Sequence, residues 1–436
     1  MVDQSVERER RFLHQAEQSV FLRSRAVLDI LPAGILLLSI RSVYNAGHGR
    51  AHDRAGYRRQ AMNTNLLDQV EREFLGFASP TAPRIMAGGH PCQGLYWMPK
   101  GARPKVAFIA THYNVDFSEH YIAEHLASRG YGFLGWNTRY RGAEDQFLLE
   151  HALIDIGVGV RWLREQAGVE TVVILGNSGG GSLMAAYQAE AITPTLAMSL
   201  QGAGRAALET LPKADLYVSL NAHQGRPEVL TSWLDASVID EWDPVPTDES
   251  LNPYNPENGP PYSPEFIARY RAAQRARNQR ITDWAKAELA RLNAAGIADR
   301  VFPLYRAWGD LRFMDGSIDP SDRKSPWCYR GDPKAANQAP GLGRVNNLTT
   351  WLSMWSLETS KCQGGAQLAK FDTAALVVLG TSDAGVFPSD ARQIFESIAS
   401  ADKQLELIPG AHYFEGANED RPRVASLICD WVAKRV

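Results

Sequence analysis

Short runs of β-branched and aromatic residues recur along this chain, separated by stretches whose apolar positions repeat with a helical period. Residues 93–98, 106–111, 131–136 and 171–175 are runs of the first kind, and 216–221, 375–380 and 403–408 continue the series. Runs of that length and composition read as strands, several of them buried on both faces. Residues 148–166, 264–295 and 421–435 carry the helical pattern. Strands alternating with helices predict an α/β fold: a mostly parallel central sheet with helices on both faces.

The same pattern divides the chain into four blocks, with no internal repeat. Residues 1–80 are expected to form a mostly helical N-terminal extension with arginine-rich faces. Residues 81–225 hold the first part of the core and 372–436 the second. Between them, 226–371 breaks the alternation, because Pro, Asn, Asp and Trp rise on either side of the long helical stretch. The arginines of that stretch (Arg269, Arg271, Arg275, Arg277 and Arg280) are expected to make a solvated, salt-bridged face.

Composition narrows the class. The chain has 436 residues, 44% hydrophobic content and a formal net charge of −3, which fits a globular enzyme and gives no electrostatic claim on nucleic acid. Cys92, Cys328, Cys362 and Cys429 form no Cys-x-x-Cys pair, so a reducing, cytoplasmic setting is expected. The histidines show no metal-ligand spacing, and nothing in the chain asks for a metal or organic cofactor. The first residues mix acidic and basic side chains, unlike a secretory signal. The most apolar run, 30–40, is too short to span a bilayer and contains Pro32 and Gly34, so it is expected to pack onto the domain, with no transmembrane segment.

The chemistry concentrates in three segments. Residues 171–175 lead directly into Gly176-Asn-Ser178-Gly179-Gly180, and an Ala, Leu and Met-rich helical pattern follows. A Gly-x-Ser-x-Gly pentapeptide between a strand and a helix is what a nucleophile elbow requires: the serine sits on a sharp turn with its hydroxyl exposed. The run ending at Gly380 is followed by Asp383, and the run 403–408 by a loop carrying His412. Serine needs a base to take its proton, imidazole titrates near neutrality, and a carboxylate fixes the imidazole tautomer. Ser178, Asp383 and His412 are therefore the candidate nucleophile, acid and base. Ser182 and Asp390 are the rivals, although Ser182 should lie along the helix and Ser389-Asp390 looks like a helix start. His120 and His125 read as one helix face, and His112 as a residue that orients its loop. His223, at the carboxyl edge of the sheet, is open between a structural and a substrate-facing role.

With Ser178, Asp383 and His412 in that chain order, the sequence resembles the α/β-hydrolase superfamily over residues from about 80 to 436, apart from the insertion. The resemblance implies an esterase-like serine hydrolase that cleaves a carboxylic ester or related acyl bond through an acyl-enzyme. It implies an oxyanion hole made by the backbone of Gly179 and by the loop after the third strand. There the superfamily usually shows His-Gly-x, whereas this chain has His112-Tyr113-Asn114, which makes Asn114 the expected second donor. The insertion falls where the superfamily often carries a cap, here expected to be large and mainly helical. Its aromatic content favours a bulky, partly apolar small-molecule substrate. Amidase, carbon–carbon-bond hydrolase and acyltransferase chemistry use the same triad, and a slow or non-catalytic binding member of the fold is the alternative of another class. Dehalogenase and epoxide hydrolase chemistry would need a carboxylate where Ser178 stands. A homo-oligomeric state is left open.

Overall fold

The structure is a computed structural model and describes residues 65–83 and 89–436. The apolar run 30–40 and most of the expected N-terminal extension lie outside the described residues.

Six strands precede the insertion: β1 (Val70–Phe77), β2 (Cys92–Pro99), β3 (Val106–Ala110), β4 (Gly132–Asn137), β5 (Thr171–Ser178) and β6 (Leu216–Ala222). Within it, β7 (Val301–Pro303) and β8 (Val345–Asn347) pair as a small antiparallel ribbon. After it come β9 (Ala374–Gly380) and β10 (Lys403–Ile408). The main sheet has eight strands in the order β1-β2-β4-β3-β5-β6-β9-β10. Only β2 runs against the rest, antiparallel to both β1 and β4, while every other pairing is parallel.

Side-chain alternation sends each parallel strand into two cores. Val172 and Ile174 of β5 pack on one face of the sheet, Val173 and Leu175 on the other. Helices α1 (Ala123–Ala127) and α7 (Asp420–Ala433) cover the face of Val173, with Leu126, Val424 and Ile428 buried there. On the opposite face lie α2 (Leu149–Glu165) and α3 (Gly180–Ile192), contributing Leu153, Ile156, Leu183 and Ala186. Between the last two strands runs α6 (Pro388–Ser397).

The described end of the block expected to be a mostly helical extension, 1–80, contains a strand: β1 occupies Val70–Phe77 and forms the sheet edge. Only Val70 and Leu75 of β1 are buried, and Glu71, Arg72 and Glu73 face solvent. Its pairing with β2 supplies the order that its side chains do not advertise. The insertion is also less helical than expected. It holds α4 (Arg226–Trp233), the long α5 (Pro264–Ala294) and short helical turns, with much of 234–263 and 304–347 in loops and turns. Ser263 caps α5 by accepting the Phe266 N–H at 3.2 Å, and Pro264 opens the helix.

The insertion has its own aromatic core, including Trp233, Phe266, Tyr270, Trp308 and Phe313. The arginine face of α5 is only partly solvated. Arg277 is 1% exposed, pairs with Glu241 at 2.8 Å and donates to the carbonyls of Asp235 and Tyr305 at 3.0 and 2.9 Å. It therefore ties two loops of the insertion together. Among the described residues no helix is long and apolar enough to cross a membrane.

Candidate active site

Strand β5 passes into α3 with only Gly179 between them. At that junction Ser178 has φ 55°, a left-handed conformation that costs a non-glycine residue about 1–3 kcal/mol. Pairing between β5 and β6 shifts register between Asn177 and Ser178, so the serine meets Ala222 across an irregularity just where the strand ends. The turn is tight enough that a Cβ on Gly176 would lie 2.5 Å from the Gly181 Cα. Strand and helix can approach this closely only with glycine there.

At the ends of the neighbouring parallel strands stand Asp383 and His412. The Asp383 carboxylate is fully buried and divides its oxygens. Oδ1 accepts the backbone N–H groups of Gly385 at 2.8 Å and Val386 at 3.0 Å, and Oδ2 meets His412 Nδ1 at 2.7 Å. In the neutral ring that contact places the proton on Nδ1 and the lone pair on Nε2. Nε2 is buried and has no hydrogen-bond partner among the described residues. The rivals are engaged elsewhere. Asp390 accepts the Phe387 N–H at 2.9 Å at the start of α6 and pairs with Arg312 at 3.0 Å. Ser182 lies inside α3, 2% exposed, against the Tyr113 hydroxyl at 3.0 Å.

Asn221, near the end of β6, holds the acid and base loops together. Its Nδ2 donates to the carbonyls of His412 at 2.7 Å and Ala411 at 3.1 Å, and its Oδ1 accepts the Gly380 N–H at 2.7 Å. Its φ of 42° aims the side chain across the strand ends, a conformation that Asn tolerates better than most residues. The sequence reading did not single it out. A buried Asn near the end of a mostly apolar strand is the one signal that was there to use.

Ser178 opens on a cavity of about 330 Å³ lined also by Asn177, His112, His120, Tyr121 and Tyr413. His120 does not share a helix face with His125 as expected. It precedes α1 and bonds Asn177 Oδ1 through Nε2 at 3.1 Å, and burial pushes its pKa down to about 4. The Asn114 N–H, expected to point at the oxyanion, is turned toward His112 Nδ1 at 3.4 Å, and its carbonyl accepts the Gly142 N–H at 2.8 Å. The peptide N–H directly after Ser178, the candidate nucleophile, belongs to Gly179.

The insertion reaches the site through two side chains. The Tyr329 ring packs on His412 with centroids 4.8 Å apart, and its hydroxyl lies 3.2 Å from His223 Nε2. His223 is buried, and burial together with neighbouring His412 and Arg226 holds it well below the usual histidine pKa, so it is neutral. It lines a second cavity, of about 500 Å³, between the sheet edge and the insertion. Arg226, at the start of α4, is 3% exposed and sits against Gly179.

All four cysteines are free and buried, and the described residues contain no His, Cys, Asp and Glu cluster suited to a metal.

No protein-family model matches the chain, and no curated protein does. Solved structures similar to it include a hypothetical protein from Pseudomonas aeruginosa, at 14% identity and TM-score 0.44, covering 83% of this chain and 94% of that one. An α/β hydrolase from a Penicillium species gives 13% and 0.45 over 84% and 98% of the two chains. A monoacylglycerol lipase from Paleococcus ferrophilus gives 13% and 0.40 over 84% and 99%. Likeness at this level carries neither substrate nor mechanism across. The strand order with β2 alone reversed and the sharp turn after β5 that carries Ser178 are the α/β-hydrolase fold the sequence leads one to expect, and the likeness is one of fold.

Proposed function

We propose that the protein is a serine hydrolase that cleaves a carboxylic ester or related acyl bond. The observation that carries this reading is the His412–Asp383 pair at 2.7 Å, with the far ring nitrogen left unpartnered, at the same sheet edge as the strained Ser178. His412 Nε2 takes the proton of the Ser178 hydroxyl as Oγ attacks the substrate carbonyl. Asp383 holds the ring tautomer and stabilises the imidazolium that forms. The Gly179 N–H donates to the oxyanion. Collapse of the tetrahedral intermediate expels the alcohol, which takes its proton from His412, and leaves an acyl-enzyme on Ser178. Water, deprotonated by the same ring, then releases the acid.

The insertion acts in this reading as a cap. Support comes from Tyr329, which reaches His412 from a segment between two sheet strands. The test is multiple-turnover hydrolysis over a panel of esters and amides differing in acyl and alcohol bulk. Ester turnover beyond one equivalent supports the hydrolase. A single stoichiometric burst, or binding without product, supports the receptor-like alternative. Preferred cleavage of amides moves the assignment to an amidase.

A further inference from the structure

The cavity at Ser178 contains an imidazole that the proposed mechanism leaves without a role. His112 follows β3, is 7% exposed and lines the cavity with Ser178. Two backbone N–H groups, of Asn114 and Val115, point at its Nδ1, both at 3.4 Å. Burial, reinforced by the Arg226 guanidinium, holds the ring well below the usual histidine pKa, so it is neutral. A neutral ring that accepts at Nδ1 carries its proton on Nε2.

Nε2 lies against the residue that follows the nucleophile. A Cβ built on Gly179 would fall 2.7 Å from it. Since a carbon–carbon bond is about 1.5 Å, Nε2 lies within about 4 Å of the Gly179 Cα, one bond from the Gly179 N–H. Among the described residues the ring's only hydrogen bonds are those at Nδ1.

We propose that the Nε2–H of His112 is the second donor of the oxyanion hole, converging with the Gly179 N–H on the oxygen of the tetrahedral intermediate. This rests on the hydrolase reading and goes beyond it, because a side chain replaces the backbone amide expected from Asn114. Arg226 stands beside the pair. Its Nη1 would be 2.9 Å from the same Gly179 Cβ. It stacks on Tyr113 at 4.5 Å and Trp355 at 4.9 Å, and pairs with Glu144 at 3.1 Å. Fixed there, its charge reinforces the effect of burial in keeping His112 neutral, with the ring proton on Nε2. The absence of a side chain at Gly179 follows from the same packing, since His112 and Arg226 fill the space it would need.

The experiment compares wild type with His112→Ala and His112→Gln in ester hydrolysis and in affinity for an alkyl boronic acid, which forms a tetrahedral adduct on the serine. In His112→Ala, kcat should fall about 10²–10³-fold with KM little changed, and boronate affinity should fall in parallel. His112→Gln, which retains an N–H donor, should recover part of both. In wild type carrying ¹⁵N-histidine, boronate should move the His112 Nε2–H proton downfield, a readout that needs no variant. An active wild type whose His112→Ala variant keeps kcat and boronate affinity within about threefold overturns the donor role alone, as does an unmoved proton resonance. A wild type that neither turns over esters nor binds boronate overturns the hydrolase reading, and the donor with it.

Discussion

At the scale of single residues the account rests on how Asp383 divides its oxygens. With Oδ1 on two backbone N–H groups and Oδ2 on His412, the carboxylate is held in one orientation and fixes the imidazole tautomer. Asp383→Asn should lower kcat by about 10⁴, as wrong-tautomer substitutions in such triads do. Asp390→Asn should affect chiefly stability, because that carboxylate caps α6 and pairs with Arg312. Steady-state kinetics beside thermal melts of both variants separate these outcomes. Asn221→Ala should cost both: it orphans the buried Gly380 N–H, at about 1–3 kcal/mol, and it frees the His412 loop. Its melting temperature and kcat should fall together.

Ser178, Asp383 and His412 could be picked out as candidates because each ends or closely follows a strand-like run, and that signal is local. Asn221, His112 and His120 were not. Asn221 acts on a carbonyl 191 residues away, and a partnership of that span leaves no mark in the local pattern. His112 was read as a loop-orienting residue, which its Nδ1 contacts fit, but its other nitrogen could not be placed before the elbow was.

At the scale of elements, the elbow joins sequence to chemistry. Gly179 faces His112 Nε2 and Arg226 Nη1 across less space than a methyl group needs. Gly179→Ala should therefore displace one or both, costing about 1–3 kcal/mol in stability and most of the activity. An active, wild-type-like Gly179→Ala enzyme would contradict this packing. The central strands were readable because burial on both faces makes them continuously apolar. The edge strand β1 was not, since a strand with Glu71, Arg72 and Glu73 in solvent shows no apolar face from which to infer its pairing. The same limit explains Arg277: on α5 it looks like any solvated arginine until the loops carrying Glu241 and Tyr305 fold over it.

At the scale of the whole molecule, the insertion and the buried histidines set the behaviour. Trp308 is 4% exposed within the insertion's own core, whereas Tyr329 touches His412 directly. Tyr329→Ala should therefore reorder a substrate panel, while Trp308→Ala should mainly lower the melting temperature, by the equivalent of about 3–5 kcal/mol. His112, His120 and His223 are all held neutral by burial, with pKa values below that of a free histidine. The unfolded chain binds protons on these rings near pH 6.5, and the folded one does so only at lower pH. The stability they contribute is present above about pH 6.5 and is lost as pH falls, for His120 toward its folded value of about 4, by up to about 1.4 kcal/mol per pH unit for each ring. Thermal melts across that window should show the loss, and His120→Gln should flatten its share of the slope.

The central claim is that Ser178 is the nucleophile, and a covalent label tests it most directly. Intact-mass measurement after treatment with a fluorophosphonate should show a single adduct on the wild-type protein, mapped by peptide sequencing to Ser178. Ser178→Ala should remain unlabelled and inactive with a nearly unchanged melting temperature, and Ser182→Ala should label and turn over normally. A Ser178→Ala protein that still takes the label or still hydrolyses ester would contradict the account.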